Sequence, residues 1–173
     1  HFGFDDVADA ISAKMEARHP HIFAGAGGLI DENRWEDLKA QERNAKGVAS
    51  ALDGVALALP ALMRAEKIQK RAARTGFDWP DPSGSEAKIF EEVEELKTAT
   101  TEQTRIEEAG DLLFAAVNYV RAYGISAEEA LRSANAKFEK RFRAMEALAG
   151  TEAFAKLSLD QQEELWQRVK TGE

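Results

Sequence analysis

Cysteine is absent from all 173 residues, which excludes disulfides and thiolate metal sites together. That fits a reducing compartment, and a cytoplasmic location is the expectation. Long apolar runs are missing too. The longest stretches, "VALALPALM" and "LLFAAV", have the size of core segments and fall short of a membrane span. No signal peptide is visible. Basic residues are in deficit, 23 against 31 acidic, for a formal net charge of −8. Direct nucleic-acid binding is disfavoured, because neutralising phosphates takes a basic face. Alternating strand patterns with β-branched residues are nearly absent as well. The hydrophobic fraction of 44% and charged fraction of 31% are those of a globular chain of one domain, or one domain plus part of another.

What remains is helical pattern. A first helix is expected over Asp5 to Arg18, with Val7, Ile11 and Met15 at i, i+4 and i+8. The loop "HPHIFAGAGG" follows, then a charged helix from Asn33 carrying Trp35 and Leu38 and ending before Gly47. The apolar segment from Ala49 to Leu59 has no clear assignment. Pro60 suits the first turn of a helix that stops at Gly76. "GFDWPDPSG" reads as a turn-rich connector, in which Trp79 and, further back, Trp35 read as packing residues. Ser83 with Glu86 reads as a capping box opening a helix through Leu96. The next helix is expected from Thr104 to Tyr123, closed by Gly124. Ser126 with Glu129 caps a long helix to Leu148, and Ser158 with Gln161 caps a last helix that holds Trp166.

One repeat is visible. "DDVADAISAKMEARH" from Asp5 aligns with "EEALRSANAKFEKRF" from Glu128, pairing Lys14, Glu16 and Arg18 with Lys137, Glu139 and Arg141. On this pattern residues 1–48 are the tail of an upstream repeat plus a linker helix, and residues 49–173 are the second copy.

The acids are concentrated where the chain turns apolar. "EEVEELKTATTEQTRIEEAGD" carries eight carboxylates over residues 91–111, immediately before "LLFAAV". At 3.6 residues per turn, Ile89, Val93 and Leu96 share one face. Lys88, Glu92 and Glu95 share another, with Glu91 at its edge. On the following helix Glu108 and Asp111 are again three apart, flanked by Glu107 and Asn118, while Ile106, Leu113 and Val117 are expected to cover the opposite side. The connector is short, so the two helices should pack antiparallel as a hairpin and bring the acid pairs face to face. At an effective dielectric of ~20, one like-charge pair at ~4 Å costs about 4 kcal/mol. Cations between the carboxylates would remove that cost. Oxygen ligands without His or Cys suit Mg²⁺ or Mn²⁺. His1, His19 and His21 are far off in sequence, which argues against a di-iron carboxylate bundle. Acidic runs are also commonly solvated helix faces. Against that, Gly110 and Asp111 are both poor helix formers, placed together ahead of the apolar stretch of a central helix, which suggests a close approach or a ligand.

The set E-E-x-x-E, as Glu91-Glu92-Val93-Glu94-Glu95, then E-x-x-D, as Glu108-Ala109-Gly110-Asp111, resembles the MazG family of all-α nucleoside triphosphate pyrophosphohydrolases. "LPALMRAEKIQKRAARTGFDWP", "EEAGDLLFAAVNYVRAYGISAEEALRSANAKFEKRF" and "RHPHIF" are similar to MazG segments too, and the resemblance spans most of Phe4 to Lys170. It implies an all-α helical bundle completed by homodimerisation. It implies Mg²⁺-dependent hydrolysis of nucleoside triphosphates to monophosphate and pyrophosphate. It also implies that Phe4 to Phe23 ends a first copy whose acidic hairpin is not in this sequence, the second copy being the active one. Motif by motif, it assigns metal-ligand positions to Glu92, Glu95, Glu108 and Asp111. Lys88, Glu91 and the stretch Thr104, Arg105, Ile106, Glu107 take nucleotide-facing positions. Lys137 and Arg141 take cationic phosphate-binding positions, and Trp166, with Lys170 one turn on, lies near the base.

The chemistry is consistent from below. Cations let a triphosphate approach an acidic pocket. Lys137 and Arg141 share a helix face, have no acid three or four residues away, and can grip phosphates. Glu91 and Glu107 are both open as general base. Trp166 can stack on any base, giving broad tolerance, or anchor the last helix. Asn118 can orient a ligand carboxylate or satisfy a polar spot in the core. The competing readings are a non-catalytic helical module that binds nucleotides or a partner, and a purely structural dimerisation bundle.

Overall fold

The computed structural model describes residues 3–18, 20–23, 50–150 and 154–172. The chain divides into two compact units, His1–Asp53 and Gly54–Glu173. In the first, α1 (Phe4–Arg18) is followed by the short α2 (Pro20–Phe23). Val7, Ile11 and Met15 follow the expected spacing, and all three are exposed. The charged helix expected from Asn33 lies outside the described residues. Ser50 to Leu59 forms turns, pinned by Ser50 N–H donating to Asp53 Oδ2 at 3.0 Å.

The second unit contains α3 (Ala61–Ala73), α4 (Pro82–Thr98), α5 (Glu102–Ala122), α6 (Ala127–Ala149) and α7 (Leu159–Thr171). No strand occurs among the described residues. Pro60 is the N-cap of α3, and Gly76 ends that region at φ +88°, a left-handed conformation that glycine adopts without strain.

Two helix starts differ from expectation. The cap of α4 is Asp81, whose carboxylate accepts from Ser83 N–H at 2.8 Å, not a Ser83–Glu86 box. Pro82 at the first helical position explains the shift, since its missing N–H is one that would have had no partner there anyway. Helix α5 starts two residues early, at Glu102, because Thr101 and Thr104 form a reciprocal capping box. Ser126 is the N-cap of α6 without a side-chain capping bond, so Glu129 completes no box. The Ser158–Gln161 box of α7 is present.

Helices α4 and α5 form the most extensive interhelical contact of this unit. They are joined by a connector of three residues, Ala99, Thr100 and Thr101. The other core lies between α6 and α7, where Met145, Phe154 and Leu165 are buried and Ala149, Leu157, Trp166 and Val169 pack on them.

One expectation about α5 is reversed. Ile106 and Leu113 are 61% and 60% exposed and do not cover a core, although Val117 is buried. In the first turns of α5 the half-buried positions are Thr104, Glu108, Ala109 and Leu112, and Ala115 is buried. The side that meets α4 is therefore the acid-bearing one.

Candidate metal and nucleotide site

The seam between α4 and α5 answers why so much negative charge stands beside an apolar run. Glu92 is buried, at 3% exposure, from the middle of α4. Glu108 and Asp111, one turn apart on α5, come to meet it. Each of the three offers a carboxylate oxygen, and these atoms lie within 4.8 Å of one another. One oxygen of Glu92, Oε2, is buried without a hydrogen-bond partner. A buried carboxylate oxygen left bare is costly, and next to two further carboxylates it is more so.

Glu95 is exposed and stands outside that close trio, but it feels it. Desolvation, then the charges of Glu92 and Glu108, push its carboxyl above the usual range. Lys88 reaches back from one turn earlier. Its Nζ lies 2.6 Å from Glu92 Oε1 and 2.9 Å from Glu91 Oε1. Hydrogen bonds to Glu92 first and Glu91 second hold the Lys88 ammonium above the ordinary lysine range. The sequence-predicted group Lys88, Glu91, Glu92, Glu95, Glu108 and Asp111 is thus one electrostatic neighbourhood.

Oxygen-only donors, a bare buried oxygen and crowded like charges are the features a hard divalent cation satisfies. The residues present fit such an ion: Glu92, Glu108 and Asp111 could hold it, with Glu95 beside them.

Other predicted residues are placed elsewhere. Glu107 accepts from Gln103 Nε2 at 2.8 Å on the exposed side of α5. Thr104 is engaged in the capping box with Thr101, and Arg105 Nε donates to Ala99 O at 3.2 Å, which ties α5 to its connector. Asn118 is half-buried, and its Oδ1 accepts from Arg121. Lys137, Arg141, Trp166 and Lys170 are on α6 and α7. The Arg141 guanidinium lies over the Trp166 ring, 5.5 Å from its centroid, and Phe138 packs on the same ring at 5.6 Å. The geometry therefore forms two groups, an acid cluster between α4 and α5 and a cation–aromatic group between α6 and α7.

One long-range contact was not legible in the sequence. Asp78 and Arg121 form an ion pair at 2.6 Å across 43 residues, a separation for which helical periodicity offers no signal. Trp79 packs so closely on Gly84 that a Cβ there would fall 2.4 Å from its ring.

The profile of the MazG nucleotide pyrophosphohydrolase domain matches residues 82–145, the span from the start of α4 to Met145 of α6. The chain is 44% identical over 182 aligned positions to the nucleoside triphosphate pyrophosphohydrolase of Escherichia coli K12, covering 99% of this chain and 69% of that protein. It is 39% identical over 174 positions to the nucleoside triphosphate pyrophosphohydrolase/pyrophosphatase MazG of Thermotoga maritima, covering 99% and 68%. It is also 42% identical over 183 positions to the uncharacterized protein YabN of Bacillus subtilis, of which it spans 37%.

Proposed function

Because the chain belongs to the MazG nucleotide pyrophosphohydrolase family, we propose that it hydrolyses nucleoside triphosphates to monophosphate and pyrophosphate at the α4–α5 acid seam. The observation that carries the placement is Glu92 Oε2, buried and partnerless on a carboxylate that meets Glu108 and Asp111 within 4.8 Å. Glu92, Glu108 and Asp111, with Glu95 as a fourth carboxylate, would hold Mg²⁺, or Mn²⁺ in its place. Such an ion supplies Lewis acidity and neutralises charge on phosphate oxygens.

The protein groups have distinct tasks in this reading. Lys88 bridges Glu91 and Glu92 and offers a cation at the rim of the acid cluster. Glu91 is the better general base of the two open to sequence. What supports it is its place beside Lys88 and its charge acting on Glu95. Glu107 is held by Gln103 on the exposed side of α5. Lys137 and Arg141 bring cations from α6. The Trp166 ring, with the Arg141 guanidinium over it, offers an aromatic and cationic surface that any base can use, which supports broad base tolerance. Lys170 stands one turn from Trp166, while Thr104 and Arg105 serve first to hold the connector.

The proposal extends to a homodimer, since Phe90, Ile106, Leu113 and Phe114 put exposed apolar surface on α4 and α5. It also extends to a cytoplasmic role in cleansing the nucleotide pool or controlling a stress nucleotide. Among the described residues no helix is long and apolar enough to cross a membrane.

Pyrophosphate release from a panel of triphosphates, with Mg²⁺ and with chelator, tests the activity. Glu95→Gln and Asp111→Asn should each abolish it. Full activity in both variants would refute the site. Tight nucleotide binding without turnover at saturating Mg²⁺ would leave only the non-catalytic module.

A further inference from the structure

Arg121 spends its guanidinium on two acceptors. Its Nη2 donates to Asp78 Oδ1 at 2.6 Å and to Asn118 Oδ1 at 2.6 Å, and its Nε donates to Asn118 Oδ1 at 3.1 Å. A guanidinium has donors and no acceptor, so the Asn118 amide must turn its oxygen toward it. The amide nitrogen, which carries all the donors of that side chain, is thereby aimed away from Arg121. Among the described residues that nitrogen has no acceptor.

Arg121 is itself held. Its side chain is 13% exposed, and Asp78 grips it from the connector between α3 and α4. That connector is fixed in turn by Trp79, seated on Gly84 in the first turn of α4. An amide that would otherwise rotate freely has one orientation imposed from another part of the chain.

Asn118 is seven residues beyond Asp111, so it lies about 10 Å further along nearly the same face of α5. That is the reach of a nucleoside whose phosphates are held at the acid cluster. We propose that Arg121, held by Asp78, is a positioning residue that locks the Asn118 amide nitrogen toward substrate, where it donates to an acceptor oxygen of the nucleoside moiety. The proposal rests on the acid cluster being the triphosphate site.

Asn118→Asp separates positioning from mere packing. It keeps the shape and the Arg121 contact but replaces the donor with an acceptor-only carboxylate. KM for triphosphate should rise about tenfold, as for loss of one hydrogen bond to substrate, with kcat moving less and the unfolding temperature held. Arg121→Met should raise KM by a similar factor on its own, but add nothing in an Asn118→Ala background, where no amide remains to orient. An unchanged KM in Asn118→Asp, or additive KM effects in the double variant, overturns the proposal. Ribo- and deoxyribonucleotides of one base narrow the acceptor: the Asn118→Asp penalty shrinks on the deoxy substrate for the 2′-hydroxyl oxygen and stays equal for a base oxygen or another sugar oxygen. Failure of the underlying reading would look different. A wild type releasing no pyrophosphate from any triphosphate overturns both, whereas normal wild-type turnover with an insensitive KM overturns this inference alone.

Discussion

Lys88 Nζ stands 2.6 Å from Glu92 Oε1, while the other oxygen of the same buried carboxylate has no partner. Half of Glu92 is thus neutralised by its own helix, and the other half is left for something the protein must recruit. The linkage of cation binding to stability follows from this asymmetry.

Added Mg²⁺ should raise the unfolding temperature of the wild type and leave that of Glu92→Gln nearly unmoved, because binding to the folded state alone stabilises it. In chelator, Glu92→Gln should be no less stable than the wild type, since it removes one of three crowded charges. Its kcat/KM should fall by about a thousandfold, as loss of several kcal/mol of charge stabilisation implies. Thermal melts with and without Mg²⁺, beside a pyrophosphate assay, check both.

Lys88→Met should behave in the opposite way. It strips Glu92 of its ion-pair partner and leaves a buried charge uncompensated. The unfolding temperature should drop in chelator and recover in part with Mg²⁺. Equal losses with and without the ion would contradict the arrangement.

Acid should weaken the Asp78–Arg121 latch in a defined window. The hydrogen bond from Arg121 holds the Asp78 carboxyl below its ordinary value of 3.8. Because the folded value is depressed, the stabilisation is complete above that ordinary value and is lost as pH falls through the lower folded one. Urea unfolding from neutral pH to about pH 2 should show Asp78→Asn less stable than wild type at neutral pH. The gap should begin to narrow at the ordinary value and close below the lower folded one. A constant gap down to the lowest pH would rule the latch out.

Gly84→Ala sets two effects against each other. Alanine gains about 1 kcal/mol in a helix, but its Cβ would sit 2.4 Å from the Trp79 ring. Overpacking costs about 1–3 kcal/mol, so a net loss is expected, with Trp79 displaced. A red shift in Trp emission that disappears in a Trp79→Phe background reads the displacement directly.

Leu165→Ala tests the second core. Leu165 is buried with Met145 and Phe154, so its truncation should cost about 2–4 kcal/mol in urea unfolding. Trp166 rests on the same cluster, so nucleotide affinity should fall as well if the α6–α7 group contacts the base.

Much of this was legible because it is local. The wheel put Lys88, Glu92 and Glu95 on one face and Glu108 and Asp111 on another, and the short connector implied a hairpin. The structure brings Glu92, Glu108 and Asp111 together. The Ser158–Gln161 box was equally readable. The Ser83–Glu86 pattern gives no box because Ser83 is already the second residue of a helix that Asp81 and Pro82 open. Ile106 and Leu113 depart from what apolar spacing implies, because α5 turns the side bearing Glu108 toward α4 and leaves those two exposed.

The order of residues alone determined an all-helical chain, the acid pairs and their placement on facing turns, because helical periodicity and capping act over a few residues. Which oxygen of Glu92 would be left bare, which side of α5 would be buried, and that Asp78 would reach Arg121 were decided only by tertiary structure. Those outcomes depend on contacts between helices and between residues tens of positions apart, and no local repeat encodes them.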